Sequence, residues 1–311
     1  MAEELKTVLI TGGTDGLGRA TALRLALEGY RVFAGGRNAA RRSALEAEAR
    51  ERKLPLEVLE MDVCDDASVN RAVEEVERRG GPVDVLVNNA GIGIAAAIEE
   101  ISMRDLRQQF ETNFFAPVRV AQRVLPGMRA RRRGRIVNMS SVAGKISNPV
   151  LGYYSASKYA LEAMSDALRL ELHPFGIHVV LIEPGYIPSG MGQASMELSS
   201  AYTRRVAESP YGPVYQGFLS FWKKTTKNPK YTPDDCAAVI LRALRDTPPK
   251  ARYTVTRDAW VGVRLKRLLS DRMLDRMLIR TLGLDKIRPG ATLDPAAARA
   301  ALEELSKAAR R

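Results

Sequence analysis

The chain has 311 residues, 45% hydrophobic and 27% charged, which suffices for one large core with extensions. Its formal net charge of +12 is concentrated late, residues 1–190 summing to +1 and residues 191–311 to +11, so a basic surface belongs to the C-terminal part. Two cysteines and two histidines supply neither a disulfide scaffold nor a zinc centre, and no signal pattern or membrane-length apolar run is present, so the chain reads as a reduced, cytoplasmic protein without a metal.

Apolar, β-branched runs at residues 7–10, 31–34, 56–61, 83–87, 135–139 and 177–182 read as strands buried on both faces. Between them, residues 17–27, 40–53, 67–79 and 155–172 carry apolar side chains at helical spacing. A helix over 233–245, opened by Thr232, and a strand over 252–256 complete the alternation. The pattern predicts an α/β fold, a doubly wound Rossmann arrangement with a seven-stranded parallel sheet, over residues 1–256.

The strand ends carry the chemistry. After the first comes Thr11-Gly12-Gly13-Thr14-Asp15-Gly16-Leu17-Gly18. Gly12 permits a tight turn, Gly16 lets the backbone approach a pyrophosphate, and Gly18 allows the following helix to pack closely, its N-terminus facing the phosphates. The second strand ends in Gly35-Gly36-Arg37, where an acidic partner for a ribose hydroxyl would stand in an NAD(H) site. Arg37 can instead pair with a 2′-phosphate, which favours NADP(H); Asp15, a carboxylate in the phosphate loop, argues the other way. Then follow Asp62-Val63, Asn88-Asn89-Ala90-Gly91, Asn113, Ser140-Ser141, and Tyr154 with Lys158 one helical turn later, so both can share a face.

Two regions stand outside the alternation. Residues 189–231 form a long connection rich in aromatics (Tyr202, Tyr211, Tyr215, Phe218, Phe221, Trp222), where a substrate lid is expected, although these rings can equally pack the loop on the body. Residues 258–282 alternate leucine and methionine with arginine in a basic amphipathic pattern broken at Ser270 and Asp271, opening a C-terminal helical extension, 257–311. Either this pattern packs on its own core with solvated arginines, or it makes a peripheral contact with an anionic membrane. A nucleic-acid role lacks any recognition motif, and the run 129–135 reads as a solvated helix end.

Taken together, these motifs resemble the short-chain dehydrogenase/reductase family, in its non-extended branch, over residues 5–256. The resemblance implies a catalytic set of Asn113, Ser141, Tyr154 and Lys158. It implies cofactor contacts from Gly12, Thr14, Asp15, Gly16, Leu17, Gly18 and Arg37; from Asp62 and Val63 at the adenine; and from Asn89, Ala90 and Gly91. Tyr154 and Lys158 would also touch the cofactor, and Glu183-Pro184-Gly185-Tyr186-Ile187-Pro188-Ser189 resembles the segment beside the nicotinamide, with Pro184, Gly185, Ile187 and Ser189 in contact. Ser189 stands where the family often has threonine. The stretches 165–172 and 182–185 are most similar to the 17-beta-hydroxysteroid and retinol dehydrogenase group, which implies a small lipophilic substrate. A homodimer or homotetramer is likewise implied.

The side chains fit that chemistry on their own terms. A tyrosine with an ordinary pKa of about 10 acts as acid or base near neutrality only if its phenolate is stabilised, which a neighbouring ammonium does. Ser141 can hold the substrate oxygen, and Asn113 can anchor a water that relays protons through Lys158. The expectation is alcohol–carbonyl interconversion by hydride transfer, with Tyr154 as acid and base. The alternative is a catalytically idle dinucleotide-sensing or partner-binding protein, for which Tyr154 and Lys158 together have no purpose.

Overall fold

The structure is a computed structural model that describes residues 6–188, 190–227 and 229–287. Its strands are β1 (Thr7–Thr11), β2 (Arg31–Gly36), β3 (Leu56–Glu60), β4 (Val85–Asn88), β5 (Gly134–Met139), β6 (Ile177–Glu183) and β7 (Arg252–Thr254). All pair in parallel in the order β3-β2-β1-β4-β5-β6-β7. Because the order reverses between β1 and β4, the chain leaves the carboxyl ends of these paired strands toward opposite faces of the sheet, which opens a crevice beyond them, the usual place for a ligand in such a sheet.

Every residue of β1 is buried, as a central strand covered on both faces requires. On one face α1 (Gly16–Leu27) lies against α9 (Pro233–Arg245), with Leu25, Ala26, Ile240 and Leu244 meeting Val8, Val32 and Val180. Cys236 belongs to this layer, and burial pushes its thiol up to about 12, so it packs as a small apolar group. On the other face α3 (Asp66–Gly80), α5 (Ala116–Ala130) and α6 (Gly152–Leu172) cover Leu9, Phe33, Leu86 and Ile136. Between strands and α6 runs a buried polar chain: Asn88 Nδ2 donates to Asn138 Oδ1 and Asn138 Nδ2 to Ser165 Oγ, each at 2.9 Å, fixing the register of β4, β5 and α6.

Two elements depart from the sequence pattern. The seventh strand stops at Thr254 because Thr256 leaves the sheet to cap α10 (Arg257–Leu268), its hydroxyl accepting from the Ala259 amide. The connection expected over 189–231 is helical, forming α7 (Gly190–Thr203) and α8 (Gly212–Thr226), the latter opened by Pro213 in its first turn. Asn113 sits in a π-helical turn, Glu111–Phe115, between α4 (Met103–Phe110) and α5. The C-terminal pattern forms α10 and α11 (Asp271–Thr281), parted at Leu269 and Ser270, both in extended backbone. Ser189 and the tail beyond residue 287 lie outside the described residues. No helix among the described residues is long and apolar enough to cross a membrane.

Candidate active site

At the end of β1 the chain turns through Gly12 (φ +61°) and Gly16 (φ +50°), left-handed conformations that side chains rarely adopt. Asp15 caps α1, accepting the Gly16 amide at 2.9 Å. The turn is welded to β4: Asn89 Nδ2 donates to the carbonyls of Thr11 and Gly12 at 3.0 Å, and Thr11 Oγ1 accepts the amides of Asn89 and Ala90. A Cβ on Gly18 would stand 2.1 Å from the Gly12 carbonyl and 2.4 Å from Asn89 Nδ2, so only glycine lets α1 approach. Leu17 packs on the core behind it. The result is a cradle of backbone donors at a positive helix end, shaped for a pyrophosphate.

Beside it lies a basic corner. Arg37 is 64% exposed, with Nη1 3.7 Å from Asp62 Oδ2, while Asp62 Oδ1 accepts the Cys64 amide. The neighbouring Val63 is buried, its carbonyl accepting from Arg119. The carboxylate of Asp15 pairs with Arg41 at 2.8 Å, a residue that the sequence reading passed over. Its signal was present: an arginine four positions after Arg37, in the first turn of α2 (Ala39–Glu51). The pairing offsets the negative charge that Asp15 brings to the cradle. Gly36 is constrained by packing: a Cβ there would fall 2.3 Å from Thr14 Oγ1 and 2.7 Å from Thr14 Cγ2, and Thr14 is buried.

Further along the same edge, α6 begins with Tyr154 and Lys158 one turn apart. Lys158 is 3% exposed, and its ammonium donates to the Met139 carbonyl at 2.8 Å and lies 5.8 Å from the Tyr154 ring centroid. Burial draws the Lys158 pKa down to about 8, against the opposing pull of Glu162. Burial raises the Tyr154 phenol, opposed by the nearby Ser141 hydroxyl. Ser141 also accepts the Ala143 amide at 3.1 Å and caps the short turn Val142–Gly144. The Asn113 side chain brackets Ile92, donating to its carbonyl (2.8 Å) and accepting its amide (2.9 Å), which ties down the segment after Gly91. Its Nδ2 also donates to Ser157 Oγ (3.0 Å), whose hydroxyl reaches the Tyr154 carbonyl (2.7 Å). Pro184 accepts the Val142 amide at 2.9 Å, joining the end of β6 to the Ser141 turn; Gly185 fits under Thr256, and Ile187 is buried in the core.

Over this centre lie α7 and α8. The amides of Gly93, Ala95 and Ala97 donate to Ser195 Oγ (3.1 Å), Ser199 Oγ (2.8 Å) and the Tyr215 hydroxyl (2.7 Å). Tyr202 and Tyr211 reach the carboxylates of Asp105 and Glu99. Tyr186, just past Pro184 and Gly185, meets Trp222 edge to face at 5.1 Å, and Trp222 stacks on Phe218 at 5.9 Å. The structure therefore gathers the glycine turn, Arg37, Asn113, Ser141, Tyr154, Lys158 and the Pro184–Gly185 segment on one edge of the sheet.

The family described as short chain dehydrogenase matches residues 6–199. The chain is similar to 3-ketodihydrosphingosine reductase of Bacteroides thetaiotaomicron, 41% identical over 183 residues, a match covering 59% of this chain and 64% of that protein. It is also similar to retinol dehydrogenase 8 of Bos taurus, 35% identical over 263 residues, 83% of this chain and 84% of that one. Among solved structures, an actinorhodin polyketide ketoreductase variant with NADPH matches at TM-score 0.70 and 30% identity, over 82% of this chain and 97% of that one.

The contact at Gly36 gives a direct expectation. Gly36→Asp alone should lose about 1–3 kcal/mol of stability to overpacking. Adding Thr14→Ala, which removes both clashing atoms, should recover more than half of that loss. Urea unfolding of the two single variants and the double variant measures the coupling; additive losses would mean that Thr14 does not limit this position.

Proposed function

The chain belongs to the short-chain dehydrogenase family of dinucleotide-dependent oxidoreductases, and on that premise we propose that it is an NADP(H)-preferring enzyme interconverting a lipophilic alcohol and its carbonyl compound. The observation that carries this reading is Tyr154, set near Ser141 and backed by the buried Lys158, on the edge of the sheet that bears the glycine cradle. When bound, the dinucleotide supplies or accepts the hydride. Gly12, Thr14, Gly16, Leu17 and Gly18 hold its pyrophosphate, Asp62 and Val63 its adenine, and Asn89, Ala90 and Gly91 support the turn. Ser141 donates to the substrate oxygen. Tyr154 gives its proton to that oxygen in reduction and takes it back in oxidation, and Lys158 stabilises the phenolate. Burial keeps Tyr154 protonated at neutral pH, the form that reduction needs. Asn113 holds the segment from Ile92 that borders this centre and anchors a water for proton exchange through Lys158.

Arg37 and Arg41 support the phosphate-bearing cofactor, since both guanidinium groups flank the end of β2. Thr14 supports it too, by filling the space that an acidic side chain at position 36 would need. For the substrate, Tyr186 with Phe218 and Trp222 of α8 supplies an apolar wall, and we read α7 and α8 as the substrate lid. The names of the relatives fit a bulky apolar carbonyl compound.

We further propose that α10 and α11 dock peripherally on anionic membrane. Trp260, Val261, Leu268, Met273 and Ile279 are exposed, Leu268 by 81%, and Arg264 stacks on Trp260 at 3.7 Å. Apolar anchors interleaved with arginine suit an anionic interface, each basic residue adding roughly 1 kcal/mol there.

Three measurements check these readings. Fluorescence titration should show NADPH binding more tightly than NADH; Arg37→Ala and Arg41→Ala should each weaken NADPH about tenfold, leaving NADH nearly unchanged. The parent should also oxidise NADPH with a ketone from a panel of steroids, retinoids and 3-keto lipids. Tighter NADH binding contradicts the cofactor assignment, and binding without turnover favours the idle sensor. Co-sedimentation should require anionic vesicles, fade at high salt and fall when Arg264, Arg267 and Arg272 are changed to glutamine; protein that stays in the supernatant contradicts docking.

A further inference from the structure

Behind Lys158 lies a cluster of ionisable groups that the proposed reaction does not use directly. Glu162, one turn past Lys158 on α6, is 4% exposed, and Glu183, the last residue of β6, is 1% exposed. Glu162 Oε2 takes hydrogen bonds from Lys145 Nζ (2.5 Å) and Arg252 Nε (3.0 Å). Glu183 Oε1 lies 3.8 Å and 3.4 Å from the same two nitrogens, and Glu183 Oε2 accepts from Thr254 Oγ1 at 3.3 Å. Arg252 reaches outward to Asp166 at 2.6 Å. Three carboxylates, Glu162, Glu183 and Asp166, thus stand against four cations, Lys145, Arg252, Lys158 and Arg169, the last donating to Asp166 at 2.6 Å.

The members sit where the centre is built. Lys145 directly follows the turn that Ser141 caps, Glu162 shares a helix face with Tyr154 and Lys158, Glu183 precedes Pro184, and Arg252 brings in β7. Buried charges persist only when paired, so the cluster clamps these elements together through strong, directional contacts. We propose that Glu162 is a positioning residue for the reaction: from the middle of this cluster it holds the Ser141 turn and α6 in register and keeps the Lys158 ammonium charged beneath Tyr154.

The inference rests on the proposed function, but its electrostatic part can be read without it. Around Lys158 the charged and titratable groups are Tyr154 and Glu162 on α6, Lys145 after the Ser141 turn, Glu183 on β6 and Arg252 on β7. Burial lowers the Lys158 pKa to about 8, and Glu162 opposes that fall. Removing the Glu162 charge takes away a carboxylate, so Lys158 loses its proton at lower pH. Removing the Lys145 charge takes away a cation, so Lys158 holds its proton to higher pH.

The test is NMR titration of the full chain carrying 13C-labelled lysine, with the Lys158 resonance identified by its loss in Lys158→Met. Its midpoint should fall by about half a pH unit or more in Glu162→Gln, rise in Lys145→Gln and return toward the parent value in Glu162→Asp. The alkaline limb of the pH–kcat profile should move in the same directions, with NADPH affinity within about twofold of the parent. Opposite shifts from two variants that break the same ion pair are not the result of general damage, and Lys145→Gln keeps the test decisive should Glu162→Gln fail to fold. Coincident midpoints and limbs in a chain that turns over overturn the inference. A chain that turns over nothing while the midpoints move overturns the functional reading and leaves the charge coupling standing.

Discussion

Burying the Lys158 ammonium is the constraint that organises the active edge of this molecule. At 3% exposure, its charge has little water to stabilise it, so protein groups must do so. The Met139 carbonyl accepts one N–H, Glu162 lies one turn away, and beyond it Lys145, Arg252 and Arg169 interleave with Glu183 and Asp166. Lys158 is thereby poised near neutrality, its pKa drawn down to about 8, beneath a tyrosine held protonated by burial. Neither property could be kept on a flexible loop. Both depend on α6 being pinned to β4 and β5 through the Asn88, Asn138 and Ser165 side chains.

The crevice that faces this pair is closed by hydrogen bonds as well as by apolar packing. Residues 93, 95 and 97 present their amides not to another strand but to hydroxyls of α7 and α8. Without those helices the three donors would have to find water instead. The aromatic group of Tyr186, Phe218 and Trp222 joins this layer to the strand end after Glu183.

The sequence made the sheet legible because parallel strands buried on both faces need unbroken apolar runs, and six of them were visible between residues 7 and 182. The helix Pro233–Arg245 was equally plain, since Thr232 and Asp235 form a capping box at its start. Tyr154 and Lys158 were legible as neighbours on one helix face, whereas Asn113 and Ser141 were grouped with them only through the family resemblance; the fold brings residues 113 and 154 to one edge. The helices α7 and α8 were hidden because their aromatics follow the demands of the loop they cover as much as helical periodicity. Arg41 looked like one more surface arginine until its pairing with Asp15 was seen. The Thr14–Gly36 contact and the Glu162–Glu183 cluster join distant parts of the chain, and no local pattern encodes them.

The central claim is that Tyr154 moves the proton while the surrounding frame only holds the reactants. Rapid-mixing single-turnover measurement of NADPH oxidation on the parent and on Tyr154→Phe tests it most directly. The account predicts NADPH binding within about twofold of the parent and hydride transfer slower by about a thousandfold or more, a barrier increase of about 4 kcal/mol. Transfer by Tyr154→Phe within about tenfold of the parent rate would contradict it, because some other acid would then be protonating the substrate oxygen.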